Sequence, residues 1–123
     1  MSERILIVDD SGLARRNTRR ILEGAGFEVL EAEDGMTALE QFFVQKPAVV
    51  VLDLVMKGMY GLDVLAKLKE MDPKACVIVV SADVQTSSRD LVTNAGATAF
   101  LNKPVQADAL LAAVDRALRG PGQ

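Results

Sequence analysis

Histidine and tryptophan are absent from this 123-residue sequence, and cysteine occurs once, at Cys76. Without histidine the chain lacks the commonest general base and metal ligand. A single cysteine forms neither an internal disulfide nor a cysteine metal cage. We expect Cys76 to be a small core residue, because no histidine is present to activate its thiol. Any catalysis would therefore depend on carboxylates, lysine, hydroxyl groups and a metal ion.

Aromatic residues, positive charge and long apolar runs are also scarce. Aromatic residues make up 4% of the sequence and the net charge is −3, so neither a stacking platform nor a basic face indicates a nucleic-acid partner. Apolar runs such as residues 48–52 are far too short to cross a membrane. The polar start, residues 1–4, does not have the pattern of a signal peptide. We expect a cytoplasmic protein with no membrane or nucleic-acid partner.

Strand and helix patterns alternate along the chain with no internal linker. Apolar runs predict strands over residues 4–8, 49–52, 77–80 and 98–101, and an alternating pattern predicts an edge strand over residues 27–31. Helical spacing predicts five helices. The first covers residues 12–25, the second begins at Asp34 and ends before Pro47, and the third begins after the glycine-rich loop 56–61 and ends at Asp72. The fourth covers residues 85–95, and the last has Leu110, Leu111, Val114 and Leu118 on its inner face. We expect one domain, residues 1–119, and a flexible tail, residues 120–123.

Two of these helices have distinctive apolar faces. The second carries Ala38, Leu39, Phe42 and Phe43. The helix over residues 85–95 has a thin stripe, formed only by Leu91, Val92 and Ala95. Packing holds such a helix weakly, so it is a candidate for movement.

Five strands alternating with five helices indicate an α/β doubly wound, three-layer sandwich around a five-stranded parallel sheet. Right-handed crossovers with helices on both faces allow the strand order 2-1-3-4-5. The first and third strands then lie side by side, where ligands bind in such folds.

Polar residues stand where four of these strands end. Asp9 and Asp10 follow the first strand, Asp53 the third and Lys103 the fifth, while Ser81 ends the fourth. Because the carboxyl ends of parallel strands share one edge of the sheet, we expect these side chains to converge.

Three converging carboxylates repel one another, and a hard divalent cation such as Mg²⁺ removes that repulsion. Asp53 is then a candidate nucleophile, because carboxylates form aspartyl phosphates and phosphoryl transfer depends mainly on positioning and charge neutralisation. Lys103 would offer a positive charge, and Ser81 a hydroxyl group, to the phosphoryl oxygens.

Each of these residues also has a purely structural interpretation. Aspartate at a strand end is often a cap or turn former, and Lys103 before proline is ordinarily a solvated loop lysine. We keep the structural interpretation for Asp34, as a helix cap, and for Asp63, near the N-terminus of the third helix. The other five residues fall at the same end of four strands, which favours a shared site.

Three segments resemble the signature segments of bacterial response-regulator receiver domains: ILIVDDS from Ile5, VVLDLVM from Val50 and LNKP from Leu101. The resemblance spans essentially the whole chain and implies the flavodoxin-like (CheY-like) fold. It implies that Asp53 is the phospho-acceptor and that Asp10, Asp53 and the backbone carbonyl of Val55 bind Mg²⁺ or Mn²⁺. Asp9 would hold a metal-bound water.

The resemblance also implies roles for residues after the fourth strand. Lys103 would contact the phosphoryl group, through a loop in which its bond to Pro104 is cis. Ser81 and Phe100 correspond to the family's switch pair, in which the hydroxyl moves toward the phosphate and the aromatic ring turns inward.

Three positions concern the loops around the acceptor. Lys57 stands where many receivers carry proline, which affects the stiffness of that loop. Val55 and Asp83 occupy the positions that flank the attacking water in the family. Val55 would shield the phosphoryl group from water, whereas Asp83 would orient a water or repel an incoming anion. These effects on the lifetime of the phosphorylated state oppose each other, so the sequence alone predicts no lifetime.

The resemblance implies a phosphorylation-activated response regulator rather than a conventional enzyme, and from the length of the chain we expect a stand-alone one. A sensor histidine kinase or phosphotransfer protein would phosphorylate Asp53, and the face of the fourth helix, fifth strand and fifth helix would signal to a target or phosphatase, as in chemotaxis or a phosphorelay. The chain would be a monomer or a phosphorylation-dependent dimer. The basic run Arg15, Arg16, Arg19 and Arg20 is either a solvated face or the kinase-docking face.

Three alternatives stay open. The chain could be the receiver of a longer response regulator or hybrid kinase. A magnesium-dependent phosphatase would carry a second acid two residues after its nucleophile on the first strand, where this chain has Ser11 and Gly12. A flavin-binding module would need a hydroxyl-rich phosphate loop, and residues 11–14, SGLA, make a poor one.

Overall fold

The computed structural model describes residues 3–56, 59–82 and 86–119. Its main sheet has five strands, numbered within that sheet as β1 (Arg4–Val8), β2 (Glu28–Ala32), β3 (Val49–Asp53), β4 (Val77–Ser81) and β5 (Ala99–Asn102). All neighbouring strands are parallel, and their order is β2-β1-β3-β4-β5. The predicted strand order is confirmed, and β1 lies beside β3 at the switch point.

Five helices connect and cover the strands: α1 (Gly12–Gly24), α2 (Gly35–Gln45), α3 (Gly61–Met71), α4 (Thr86–Asn94) and α5 (Ala107–Arg119). Ser11 caps α1 by accepting a hydrogen bond from the Ala14 N–H at 3.2 Å. Asp34 caps α2 by accepting from the Thr37 N–H at 2.8 Å, and this bond holds the pKa of Asp34 below its usual value. The cap predicted at Asp34 is confirmed, and Asp63 lies in the first turn of α3.

The sheet separates two apolar layers, because successive side chains of a strand point to opposite faces. Ile5 and Ile7 pack with residues of α1 and α5, including Leu22 and Leu110. Leu6 and Val8 pack with residues of α2, α3 and α4. Strands β3 and β4 are buried along their whole length, as their continuous apolar runs predict.

A short hairpin replaces part of the loop predicted over residues 56–61. Val55–Met56 pairs antiparallel with Met59–Tyr60, directly before α3. Gly61 allows the chain to return close to the end of β3, since its N–H donates to the Leu54 carbonyl at 2.7 Å. The pairing was missed because two-residue strands show no periodicity.

Several side chains predicted to be apolar contacts lie outside the core. Phe42 is buried, but Phe43 is 70% exposed, because successive helical residues point about 100° apart. In α5, Leu118 lies at the surface while Ala117 is buried. Cys76 is half-buried rather than a full core residue.

Helix α4 has an even thinner apolar stripe than predicted. Val92 is buried, Ala95 packs partly against the core, and Leu91 is 52% exposed. Lys57, Asp83 and the tail, residues 120–123, lie outside the described residues, so the predictions for them stay predictions. Within the described residues, no helix is long and apolar enough to cross a membrane.

Candidate functional site

A cavity of about 440 Å³ lies at the carboxyl end of the sheet, between the strand ends and the loops that follow them. Its lining brings together the polar residues predicted from the strand ends, which are Asp9, Asp10, Asp53, Ser81 and Lys103. Val55 also lines it, together with two residues that were not predicted for the site, Ser11 and Ala82. Among the predicted site residues that the structure describes, only Phe100 does not line it. The strand order is therefore sufficient to bring residues that are far apart in sequence into one small space.

The three acids form a compact cluster. One carboxylate oxygen from each of Asp9, Asp10 and Asp53 lies within 4.8 Å of the others. Asp9 follows β1 and Asp53 is the last residue of β3, and only 4% and 5% of their surfaces are exposed. Asp10, by contrast, is exposed to solvent. The cluster therefore has two buried carboxylates and one at the opening.

Lys103 bridges the two buried acids. Its Nζ lies 2.8 Å from Asp9 Oδ2 and 3.4 Å from Asp53 Oδ2. Burial alone would lower the pKa of Lys103, but the hydrogen bond to Asp9 and the two negative charges outweigh it, so that the pKa is raised. The Lys103 N–H donates to the Ser81 carbonyl at 2.9 Å, and the bond to Pro104 is cis, as predicted.

Asp53 is the acid whose ionisation is most affected by the site. Burial, followed by the negative charge of Asp9, raises its pKa from 3.8 to about 6. The charge of Lys103, its hydrogen bond and the N–H of Val55 act in the opposite direction. Asp53 is thus mostly ionised at neutral pH, in surroundings that favour a further cation.

Asp9 is held in place by a network that the sequence did not indicate. Its Oδ1 accepts a hydrogen bond from the Ser11 N–H at 2.9 Å, and its carbonyl accepts from Arg15 Nη1 at 2.7 Å. Arg15 Nε also pairs with Glu31 at 2.9 Å, and Arg19 donates to the same carboxylate. Burial tends to raise the pKa of Glu31, but the hydrogen bonds from Arg19 and Arg15 outweigh it and lower that pKa.

This network divides the basic run of α1 into two pairs. Arg15 and Arg19 point toward Glu31, whereas Arg16 and Arg20 are exposed and form no ion pair within the described part of the chain. The sequence could not separate these pairs. The register of β1 against β2, which sets Glu31 opposite Ile7, is known only from the structure.

The predicted switch residues lie on adjacent strands. Ser81 ends β4 and is 1% exposed, while Phe100 lies in β5 and packs partly against the core. The guanidinium carbon of Arg89, on α4, lies 5.2 Å from the centroid of the Phe100 ring. This cation–π contact between α4 and β5 had no signal in the sequence.

The opening of the cavity is partly apolar. Val55 is 62% exposed there, and Tyr60 lies opposite it in the hairpin. The hairpin therefore determines the position of Val55 beside Asp53.

The oxygen ligands of this cluster suit a hard divalent cation. Mg²⁺ binds oxygen ligands at about 2.1 Å, so opposite ligands lie about 4.2 Å apart, close to the spread of this cluster. Three carboxylates facing a single lysine leave a net negative charge, which a divalent cation would neutralise. Asp10, Asp53 and the carbonyl of Val55 are the candidate ligands, and Asp9 could hold a bound water.

The chain is similar to known proteins over nearly its whole length. A family model described as response regulator receiver domain matches residues 5–115. The chemotaxis protein CheY of Bacillus subtilis (strain 168) is 40% identical over 119 residues, which cover 96% of this chain and 99% of that protein.

Solved structures show the same similarity. A CheY-like response regulator receiver domain protein from Methanospirillum hungatei JF-1 aligns with a TM-score of 0.91 at 29% identity, over 97% of this chain and 95% of that chain. A response regulator protein from Burkholderia pseudomallei, crystallised with a phosphorylated aspartic acid, a calcium ion and citrate, aligns with a TM-score of 0.85 at 26% identity, over 91% of this chain and 66% of that chain.

Proposed function

This chain belongs to the response regulator receiver domain family, and from that premise we propose that Asp53 accepts a phosphoryl group from a histidine kinase or phosphotransfer protein. The observation that carries the proposal is the single cavity in which Asp9, Asp10, Asp53, Ser81 and Lys103 meet. Receivers are signalling switches in phosphorylation-dependent two-component systems, so the bound phosphoryl group is the signal rather than a turnover intermediate.

Asp53 is suited to act as the nucleophile. Its pKa of about 6 leaves it ionised at neutral pH, and the 440 Å³ cavity gives a phosphoryl group access to its carboxylate. An Asp53 oxygen would form the bond to phosphorus as the bond from phosphorus to the donor imidazole nitrogen breaks. The electron pair of that bond leaves with the imidazole, which then takes a proton from solvent.

Lys103 and Ser81 would stabilise the phosphorylated state. The ammonium group of Lys103 already contacts Asp53 and can transfer its hydrogen bond to a phosphoryl oxygen. Ser81 can donate its hydroxyl hydrogen to another oxygen from the end of β4. Mg²⁺ or Mn²⁺, held by Asp10, Asp53 and the Val55 carbonyl with Asp9 on a bound water, would neutralise the charge on the phosphoryl oxygens.

A related structure supports this assignment. The Burkholderia pseudomallei response regulator contains a phosphorylated aspartic acid together with a calcium ion. By similarity, we assign the phosphorylated position to Asp53 and the cation site to the cluster of three aspartates in this chain.

The output of the switch would lie on the α4–β5–α5 face. Movement of the Ser81 hydroxyl toward the phosphate would leave space into which Phe100 turns. Arg89 would lose its contact with the ring when Phe100 turns, and among the described side chains of α4 only Val92 is buried and would resist a shift. A cytoplasmic chemotaxis protein or phosphorelay component, monomeric until phosphorylated, fits this output.

The kinase or phosphotransfer protein would dock on α1 and the loop after β5. A cavity of about 700 Å³ there is lined by apolar and small polar residues of both segments, among them Leu13, Asn17, Pro104 and Val105. Arg16, which is exposed on α1, is the better test of docking than Arg19, because Arg19→Glu would also repel Glu23 and Glu31.

The docking test compares phosphotransfer rates at low and high salt. Arg16→Glu should slow transfer from the kinase and reduce its salt dependence, while leaving phosphorylation by acetyl phosphate unchanged. Lys67→Glu, with the same charge change at an exposed position on α3, is the matched control. Equal slowing in both variants, or none in Arg16→Glu, would exclude docking at this position.

Phosphorylation itself can be tested without a known kinase. After incubation with acetyl phosphate and Mg²⁺, intact mass and peptide mapping should find a labile adduct on Asp53. The adduct should be absent from Asp53→Asn and from samples treated with a chelator. An adduct at another residue, or turnover of unrelated phosphate esters, would contradict the switch and favour a phosphatase.

A further inference from the structure

We propose that a second site, for a small organic phosphate with an apolar body, lies at the edge of the sheet opposite Asp53. A cavity of about 600 Å³ opens there, a volume typical of small-molecule sites. It is lined by the segment just before β4, by Thr98 just before β5, and by residues of α3 and α5 near their C-termini. The length of β4 separates this cavity from Ser81 by roughly 16 Å.

Three positively charged side chains line the cavity: Lys69, Lys74 and Arg116. Within the residues that the structure describes, no carboxylate pairs with any of the three. Lys69 Nζ donates one hydrogen bond, to the Ala75 carbonyl at 2.9 Å, and an ammonium group has two further donors. Donors for an anionic group are therefore available in a protein whose net charge is −3.

Nearby negative charge does not cancel these cations. The C-terminal ends of α3 and α5 each contribute about half a negative charge, against three full positive charges, which leaves roughly +2. Asp72 is also close, since its Oδ1 accepts a hydrogen bond from the Lys74 N–H at 3.0 Å, and its charge reduces this sum to roughly +1, whereas Asp115 pairs with Arg119 at 2.8 Å. The local potential therefore still favours an anion such as a phosphate monoester.

The floor of the cavity indicates the rest of the ligand. Ala75 and Ala117 are buried there, and the Cys76 Sγ lies 3.5 Å from the Ala117 carbonyl. Thr98 is exposed at the rim, where its hydroxyl can donate to a phosphate oxygen. Apolar floor and cationic rim together suit a molecule that carries its phosphate on an aromatic or aliphatic body.

The test titrates the full chain with 1-naphthyl phosphate in a chelator, which prevents metal-dependent phosphorylation. Naphthyl fluorescence should report saturable binding, with backbone amide NMR shifts at Ala75, Cys76 and Thr98. Inorganic phosphate and 1-naphthol should each bind at least about tenfold more weakly, because each lacks one half of the recognised structure.

Charge variants distinguish direct contact with the probe from a long-range electrostatic effect on its affinity. Arg116→Gln and Lys74→Gln should each weaken binding by about tenfold, as expected for loss of a charged hydrogen bond. Arg119→Gln removes the same charge near the same helix end, outside the cavity, and should change the affinity by less than about twofold. Asp53→Asn should bind the probe as the unmodified protein does.

Three results would overturn the proposal: no saturable binding, equal weakening in Arg116→Gln and Arg119→Gln, or a clear change in affinity, in either direction, in Asp53→Asn. The last would place the probe in the acceptor cavity. Because the titration uses neither phosphorylation nor metal, its outcome is independent of the role proposed for Asp53.

Discussion

Asp53 holds its charge in the folded protein at an energetic disadvantage. Its pKa is about 6 in the fold against an ordinary 3.8, mainly because it is buried and secondly because Asp9 is close. Between these pH values the folded state binds the proton more tightly than the unfolded state. This contribution therefore lowers stability as pH rises from about 4 to about 7, by roughly 3 kcal/mol for a two-unit shift.

The first prediction follows for Asp53→Asn. Without metal at pH 7, the free energy of unfolding should rise by about 1–3 kcal/mol, because the buried charge is removed. At pH 4 the gain should nearly vanish, because the unmodified carboxyl group is then protonated in the folded state. Urea unfolding between pH 4 and 7 in a chelator measures both values.

The control for this series is Asp90→Asn, at an exposed position on α4. It removes a carboxylate without a burial cost, so its effect should stay within about 0.5 kcal/mol at each pH. A gain in Asp53→Asn that is independent of pH would show that ionisation of Asp53 is not its cause.

Only glycine fits at position 61, because two backbone segments approach each other closely there. A Cβ at this position would lie 2.5 Å from the Asp53 carbonyl oxygen and 2.6 Å from the Leu54 Cα. Both contacts are with backbone, so no side-chain rotation can relieve them. The end of β3, and with it Asp53, would have to shift.

The second prediction compares Gly61→Ala with Gly24→Ala. Gly61→Ala should destabilise the fold by about 1–3 kcal/mol and slow phosphorylation by acetyl phosphate. At Gly24, which ends α1, an added Cβ meets no atom within 4 Å, so alanine should be neutral or stabilising by up to about 1 kcal/mol. Similar unfolding curves for both variants would contradict the steric argument.

The site residues at strand ends could be predicted from the sequence, whereas the residues of other elements that contact them could not. Asp9, Asp10, Asp53, Ser81 and Lys103 follow from one rule, that parallel strands share a carboxyl edge. Arg15 reaches Asp9 only because of the way α1 packs beside β2, which a local sequence pattern does not encode. The steric requirement for glycine at position 61 likewise appears only once the loop has returned to β3.

At the scale of elements, the described side chains of α4 attach it only weakly to the core. Val92 is 1% exposed, whereas Leu91 is 52% exposed. Helices α3 and α5 each bury at least three side chains, so α4 should open locally at lower free energy than they do. A weakly held helix beside Phe100 suits an element that has to move.

The third prediction concerns the single apolar anchor of α4. Val92→Ala should destabilise the protein by about 1–3 kcal/mol and raise hydrogen exchange in α4 amides more than in α3. Leu91→Ala, one residue earlier but exposed, should change the free energy of unfolding by less than about 0.5 kcal/mol. Uniformly faster exchange throughout the protein would show that α4 does not open independently.

The type and order of the main elements could be predicted because apolar periodicity is strong in long segments. The parallel order follows from handedness and the need to cover both faces of the sheet. Boundaries were less certain: β2 was predicted over residues 27–31 and is observed as Glu28–Ala32. Tertiary packing decides these ends, as it does the exposure of Phe43, which faces away from the core on α2.

At the scale of the whole molecule, the two ends of the sheet carry different clusters of charge. Three acids meet at the carboxyl end around Asp53, and the cavity at the opposite end is lined by Lys69, Lys74 and Arg116, none of which forms an ion pair among the described residues. The acidic edge carries an electrostatic cost that the fold offsets only partly with Lys103. A divalent cation should therefore stabilise the entire protein, since it binds the folded cluster and not the dispersed acids of the unfolded chain.

The fourth prediction is that Mg²⁺ raises the free energy of unfolding in proportion to the logarithm of its concentration above the dissociation constant. The gain should reach about 2.7 kcal/mol at a hundredfold excess over that constant. Since Asp53 must be ionised to bind the cation, and its pKa is about 6, the gain should be smaller at pH 5 than at pH 8.

Asp10→Asn should lose most of this Mg²⁺-dependent gain in stability, although Asp10 is exposed and its removal leaves the core intact. Glu70→Gln, at an exposed position on α3, should retain it. Thermal unfolding with Mg²⁺ against Na⁺ at matched ionic strength measures the difference, and equal stabilisation of both variants would mean that the cation acts through general screening instead of through the aspartate cluster.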